Sequence, residues 1–259
     1  MRISRKLTVV ILAGGKGTRL LPITEKIPKA LVPVAGLPIL RYGVAWALAA
    51  GATKIVVSGG YLFDKVSEEL STIKVPVKID CVPDEVNKPG NRINGVCAVR
   101  NHIDGDVLFL DGDYIYHEKI SEQIANTSYS DVAVHATPNA SKYMAQDVIV
   151  KVGGEMNFES MWKTQGTEPL KTGEFYFNSL LYVPAASAHK FFTAAREVAQ
   201  TAQGGSLEDA VIRYQTHGDQ VKVALFAEPL WVEIDTLEEL AAAERFVRDH
   251  GQNIPVISR

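Results

Sequence analysis

Apolar runs alternate with amphipathic stretches along the first half of the chain. LTVVILA (7–13) is continuous and rich in β-branched residues, which predicts a buried strand. Leu40, Val44, Ala47 and Leu48 recur at helical spacing, with Pro38 near the start and Gly51 just past the end, the positions where helices favour these residues. KIVVSGG (54–60) predicts a second buried strand and FDKVSEEL (63–70) an amphipathic helix. VPVKIDCV (75–82) predicts a third strand, NGVCAVRNHI (94–103) a helix, and DVLFLDGD (106–113) a fourth strand ending in acids. Strand and helix taking turns over short links predict right-handed βαβ units and a mainly parallel sheet.

The second half reads differently. DVAVHAT (131–137), DVIVKVG (147–153), FESMWKT (158–164) and EFYFNSLLYVP (174–184) predict strands with fewer helices between them. Helices are expected near 186–199 and 206–216, and strands near 220–226 and 230–234. Thr236 with Glu239 three residues on is a capping box that opens a last helix. No linker, repeat or break in composition divides the chain, so one domain over 1–259 is expected. The expected fold class is α/β: a mainly parallel, Rossmann-like open sheet with helices on both faces and a small antiparallel β extension in the second half.

Composition narrows the possibilities. The 259 residues are 46% apolar and 22% charged, ordinary values for a globular protein. A net charge of −3 speaks against a nucleic-acid coat, and no apolar run reaches the roughly 18 residues of a membrane span. The apolar stretch after the basic N-terminus reads as the first strand rather than as a leader, because it is short and runs into glycines and Lys16. Cys81 and Cys97 are too few for a disulfide framework or a zinc site and read as reduced, buried thiols of a cytoplasmic protein.

AGGKGTRLLPITEKIPKALVPVAG (13–36) carries the first chemical signal. Gly14, Gly15 and Gly17 offer a bend that directly follows the first strand, and Arg19, Lys26 and Lys29 bring positive charge to it. At the carboxyl edge of a parallel sheet, where ligands bind, such a bend lets backbone N–H groups approach phosphate oxygens. Arg19 offers a planar fork of donors and Lys29 a compact charge. The string is neither the Walker pattern nor the dinucleotide spacing of Gly-x-Gly-x-x-Gly. Asp113 at a strand end and Asp235 before a helix cap suit a divalent cation, with Asp111 as a competitor.

Gly15-x-Gly17-Thr18-Arg19, then Pro22-x-Thr24, then Pro28-Lys29-x-Leu31, resembles the signature of the sugar-nucleotidyltransferase superfamily. Members join a nucleoside triphosphate to a phosphorylated sugar or small alcohol and release pyrophosphate. LDGD (110–113) and WVEIDT (231–236) fall where the family has its metal-binding aspartates, so the resemblance implies Mg2+ on Asp113 and Asp235, with Asp111 beside them. It assigns Arg19 to the β- and γ-phosphates and Lys29 to the reacting centre. Lys163, with Lys151 as alternative, resembles the lysine that holds the acceptor's phosphate. Leu12, Ala13, Gly14, Gly15, Gly17, Thr18, Asn91 and Asp111 are the implied nucleotide contacts.

NRINGVCAVR (91–100) resembles an element of the choline-phosphate cytidylyltransferase branch, with Asn91 matching and Arg92 and Gly95 departing. The resemblance therefore favours CTP, with CMP passed to phosphocholine, a phosphonate or a similar phospho-alcohol. A sugar-1-phosphate transferase using UTP, dTTP or GTP is the alternative, and a catalytically silent nucleotide-binding subunit is the alternative of another class. Trp46, Tyr114, Tyr116, Trp162, Tyr176 and Phe177 are available for a quaternary-ammonium box, although strand aromatics more often fill cores. Asp147, Glu174 and Asn178 lie in segments that would line the acceptor pocket. The six histidines show no cluster in sequence, and the oligomeric state, a homo-oligomer included, stays open.

Overall fold

The structure, a computed structural model, describes residues 6–84, 92–141, 143, 148–164, 169–201 and 205–257. In chain order the elements are β1 (Leu7–Leu12), β2 (Pro33–Val34), β3 (Leu37–Pro38), α1 (Ile39–Ala49), β4 (Lys54–Gly59), α2 (Phe63–Ser71) and β5 (Lys78–Pro83). Then come α3 (Ile93–Ala98), β6 (Asp106–Asp111), β7 (Tyr114–Tyr116), α4 (Glu118–Asn126), β8 (Val132–Thr137), β9 (Val148–Val152), β10 (Phe158–Lys163) and β11 (Glu174–Val183). The last are α5 (Ala185–Ala199), α6 (Leu207–Thr216), β12 (Val221–Leu225), β13 (Trp231–Glu233) and α7 (Leu237–His250).

The main sheet runs β10-β9-β11-β6-β1-β4-β5, with β8 on β11 and β12 on β8. β6, β1, β4 and β5 are parallel. β6, β1 and β4 are buried on both faces because helices cover both, whereas β5, at the edge, is largely exposed. Along β1, Val10 packs in the cluster with α3, α5 and α6, whereas Val9 and Ile11 pack with α1, α2 and α4. The expected α/β sheet with an antiparallel extension is what forms. The extension is fused to the main sheet: β6 pairs with the end of β11 (Leu181–Val183), β9 with its start (Glu174–Tyr176), and β8 runs along the other side. The β9–β10 hairpin therefore stands beyond the carboxyl edge of the parallel strands.

Several boundaries differ from the sequence expectation. β5 starts at Lys78, and the helix expected over 94–103 is α3 followed by a 3-10 turn, Val99–His102. β6 stops at Asp111, and Asp113 sits in the tight turn into β7. β7 is three residues long, too short for periodicity to reveal, and pairs antiparallel with β13. α4 shows only Ile120 and Ile124 as its apolar spacing. Cys81 is exposed rather than buried because β5 is an edge strand, and Cys97 is half-buried; both are free. Among the described residues no helix is long and apolar enough to cross a membrane.

The carboxyl edge is built from close backbone contacts. Ala13 N donates to Ser58 O at 2.6 Å, Gly112 N to Leu12 O at 2.9 Å, and Asp84 N to Gly59 O at 2.9 Å. A Cβ on Gly59 would lie 2.8 Å from Ala13 O and 2.9 Å from Phe63, so only glycine fits there. On α1, a Cβ on Gly43 would make ordinary contact, 3.5 Å from Ile11 Cδ1. Gly59→Ala should therefore cost about 1–3 kcal/mol, as overpacking does. Gly43→Ala should be neutral or stabilising by up to about 1 kcal/mol through helix propensity. Chemical denaturation of both variants checks this, and a Gly59→Ala protein as stable as the parent would contradict it.

Candidate active site

The glycine-rich bend exists to let Lys29 pass beneath it. A Cβ on Gly15 would touch Lys29 Cδ at 3.4 Å. At Gly17 (φ +64°) one would meet Thr24 Cγ2 at 2.8 Å and Lys29 Cβ at 3.2 Å. The buried Thr24 hydroxyl donates to Gly17 O at 2.6 Å and pins the bend. Thr18 opens a 3-10 turn, Thr18–Leu20, that carries Arg19 outward, while Lys29 begins another whose residues Lys29 and Ala30 are buried.

Lys29 meets two acids that the chain delivers from far apart. Its Nζ donates to Asp113 Oδ2 at 2.5 Å and to Asp235 Oδ1. Arg19 Nη2 donates to Asp235 Oδ2. The β7–β13 pair makes this meeting possible: Tyr114 opposes Glu233, and Ile234 N donates to Asp113 O at 3.0 Å. Beyond β13, the Thr236–Glu239 capping box is formed, and Glu239 Oε2 also accepts from Asp235 N at 2.9 Å. The cap thus fixes the backbone that presents Asp235.

Burial alone would depress the Lys29 ammonium, but Asp113 and Asp235 outweigh it and hold the lysine above its ordinary range. Burial, together with repulsion from Asp111, raises the Asp113 carboxyl despite Lys29. Burial opposes the charged form of Asp235 too, yet Lys29 and Arg19 hold it below the ordinary carboxylate value.

Carboxylate oxygens of Asp113, Glu233 and Asp235 lie within 4.8 Å of one another. Asp113 Oδ1 is buried with no hydrogen-bond partner among the described residues. An all-oxygen trio with one orphaned oxygen fits a hard divalent cation such as magnesium. Glu233 is the member that sequence reasoning missed. Its signal was its place two residues before Asp235, the spacing that returns a strand to the same face. Tyr114 holds it, donating to Glu233 Oε2 at 2.9 Å.

Asp111 stays outside that trio: it is buried and binds Arg92 Nη2. Asp111 raises the Arg92 guanidinium further above its ordinary value. Arg92, which departs from the family pattern, is therefore a second residue that sequence reasoning passed over. Lys163 ends β10 opposite Val148, at the end of the hairpin nearest the sheet edge. Lys151 lies farther out, opposite Glu174, and pairs with Glu159 at 3.5 Å. Asn91 and Asp147 lie outside the described residues.

The aromatics do not gather into a box. Inside the core Trp46 packs against Tyr116 at a tilt, ring centroids 5.0 Å apart, and Tyr114 stacks on Tyr116 at 5.5 Å, whereas Trp162 is exposed. Two of the scattered histidines do meet: the rings of His117 and His250 lie edge-on at 5.4 Å. Near the edge, Asn178 is fully buried with its Nδ2 unpartnered among the described residues.

Bifunctional protein GlmU of Methanococcus maripaludis is 35% identical over 116 residues, 45% of this chain and 27% of GlmU. The choline-phosphate cytidylyltransferase of Streptococcus pneumoniae is 25% identical over 172 residues, 63% of this chain and 73% of that protein. Less than a third of the length of the first curated relatives is matched. The solved inositol-1-phosphate CTP transferase from T. maritima superposes with a TM-score of 0.75 over 94% of this chain and 97% of that one. Its 15% identity makes this a likeness of fold. The profile of the nucleotidyl transferase family matches residues 8–250, from the first strand to the end of α7. With the bend, the buried lysine and the strand-end acids all inside that match, the chain belongs to the nucleotidyl transferase family.

Proposed function

We propose that this chain is a magnesium-dependent cytidylyltransferase that moves CMP from CTP to a small phosphorylated acceptor and releases pyrophosphate. The observation that carries the reading is the convergence of Lys29, Arg19 and the Asp113–Glu233–Asp235 trio at the carboxyl edge of the sheet. The preference for CTP is supported by the similarity to the choline-phosphate cytidylyltransferase. The reaction makes one bond, from an acceptor phosphate oxygen to the α-phosphorus, and breaks one, from that phosphorus to the oxygen bridging to the β-phosphate. The attacking phosphate is already ionised near neutrality, so no general base is required. What the reaction needs is alignment and neutralisation of charge.

Asp113, Glu233 and Asp235 would hold magnesium, which supplies charge neutralisation to the triphosphate. Arg19 is exposed enough to swing to the β- and γ-phosphates, where its planar fork orients them. Lys29 is buried and fixed, so its charge is preorganised for the reacting phosphates rather than recruited to them. Lys163, at the near end of the overhanging hairpin, is assigned to the acceptor's phosphate. The acceptor class is that of phosphocholine, aminoethylphosphonate and related phospho-alcohols.

Pyrophosphate release tests the reading, with CTP, UTP, dTTP and GTP each set against phosphocholine, aminoethylphosphonate and several sugar phosphates. CTP should exceed UTP by roughly 10²-fold in kcat/KM, the scale of lost buried hydrogen bonds. A clear win for another triphosphate would leave only the family reading standing. Asp113→Asn, which keeps shape and removes charge, should lower turnover by at least about 10³-fold. Its melting temperature should hardly change, because Lys29 keeps Asp235 and the repulsion from Asp111 is relieved. Near-normal turnover would remove the metal assignment.

Lys29→Met leaves Asp113 without the ammonium it meets and Asp235 with Arg19 alone. It should destabilise the protein by about 3 kcal/mol, the size expected when one partner of a buried ion pair is removed. Millimolar magnesium should restore part of that loss by taking the ammonium's place. Thermal melts with and without magnesium check this, and a loss that magnesium leaves untouched would contradict it.

A further inference from the structure

Arg92 departs from the family pattern, and its charge falls among acids. Its Nη2 donates to Asp111, and the charges of Glu208 and Asp113 attract it as well. Two helices deliver it there. Arg92 directly precedes α3, and the N–H of the next residue, Ile93, donates to Gly205 O at 3.0 Å, which ties α3 to the turn before α6. Glu208 lies in the first turn of α6, where its Oε2 is buried with no hydrogen-bond partner among the described residues. The arginine is thus held at the end of β6, beside the cation site.

Asp111 is the residue that depends on it. Asp111 ends β6 two residues before Asp113, and Gly112 between them is held down by its N–H on Leu12 O at 2.9 Å. Asp113 is repelled by the Asp111 charge and attracted by that of Arg92. The Asp111 side chain is 7% exposed, against 48% for Arg92, so the arginine can turn to water and the aspartate cannot. A buried carboxylate that loses its cation is left uncompensated at high cost, and other positive charge nearby is drawn to it. Lys29 is already engaged by Asp113 and Asp235. The remaining candidate is a divalent cation on Asp113, Glu233 and Asp235.

We propose that Arg92 is a positioning residue for that cation: by occupying Asp111 it keeps a fourth carboxylate off the metal. The number and flexibility of oxygen donors separate Mg2+ from Ca2+. Mg2+ demands near-ideal octahedral geometry, keeps several waters and takes few carboxylates, whereas Ca2+ accepts about six to eight oxygens in looser arrangements. A fourth acid would favour the larger ion and draw it toward β6. Arg92 therefore sets the preference of the site for Mg2+ over Ca2+. This inference rests on the magnesium reading above.

The test follows Mn2+ bound to the protein with CTP by electron paramagnetic resonance while Mg2+ or Ca2+ displaces it. The readout is the ratio of the two displacement constants in the parent, Arg92→Gln, Arg92→Lys, Asp111→Asn and Arg92→Gln/Asp111→Asn proteins. Melting curves verify that each is folded. Arg92→Gln should shift the ratio toward Ca2+ by roughly 10-fold or more, because donor number governs this selectivity. Mere loss of a positive charge would strengthen both ions alike and leave the ratio where it was. Arg92→Lys keeps a charge beside Asp111 and should stay near the parent, and the double variant, without the fourth carboxylate, should return to it. Asp111→Asn should not move the ratio, since Asp111 does not touch the metal while Arg92 holds it. That arm stands even where Arg92→Gln fails to fold. A parental ratio in Arg92→Gln, a shifted ratio in Asp111→Asn, or a double variant that stays shifted would overturn the role of Arg92 and leave the magnesium reading intact. A parent that holds no Mn2+ would overturn both.

Discussion

Lys29 lies buried between Asp113 and Asp235, and three distant parts of the chain meet at its ammonium. Burying a lysine is costly, and ion pairs of this kind rarely add net stability over a well-packed apolar alternative. The arrangement is therefore better understood as a site than as a staple. Its surroundings follow from it: the bend has glycines because the lysine's stem runs beneath it. Asp113 sits in a tight turn because β7 must leave at once to pair with β13, and that pairing returns Glu233 and Asp235 to the same spot.

The two halves of the sheet divide the work around this centre. The parallel half ends in a floor of small residues, where backbone can approach a ligand closely. The antiparallel half does the opposite, sending the β9–β10 hairpin past the edge with Lys163 at its near end. β11 joins them, pairing with β6 at its end and β9 at its start. One long strand thus fixes the distance between the two sides.

Much of this was legible in residue order. β1, α1 and β4 follow from unbroken apolar runs or helical spacing, and the Thr236–Glu239 cap from two residue types at a fixed offset. Such signals are local, and local physics decides them. Arg19, Lys29, Asp113 and Asp235 came from motifs, and the structure brings them together. What escaped depended on tertiary pairing. β7 has no period to detect in three residues, and without it nothing marks Glu233 as a neighbour of Asp113. Trp46 and Tyr116 looked available for a ligand, but their contact inside the core is decided by helix–sheet packing that no short window contains. Cys81 was misread for a related reason, since only the strand order reveals that β5 lies at an edge.

The claim that the acids under the bend form a divalent-cation site is tested most directly at Glu233, whose role follows from the geometry alone. Electron paramagnetic resonance of Mn2+ added to the protein with CTP reads metal binding without turnover. Glu233→Gln keeps a partner for the Tyr114 hydroxyl and removes one carboxylate charge. The account predicts tightly bound Mn2+ in the parent and an affinity lower by roughly 10-fold or more in Glu233→Gln, on the scale reported for perturbed metal-site partners. Equal Mn2+ binding by the two proteins would contradict it.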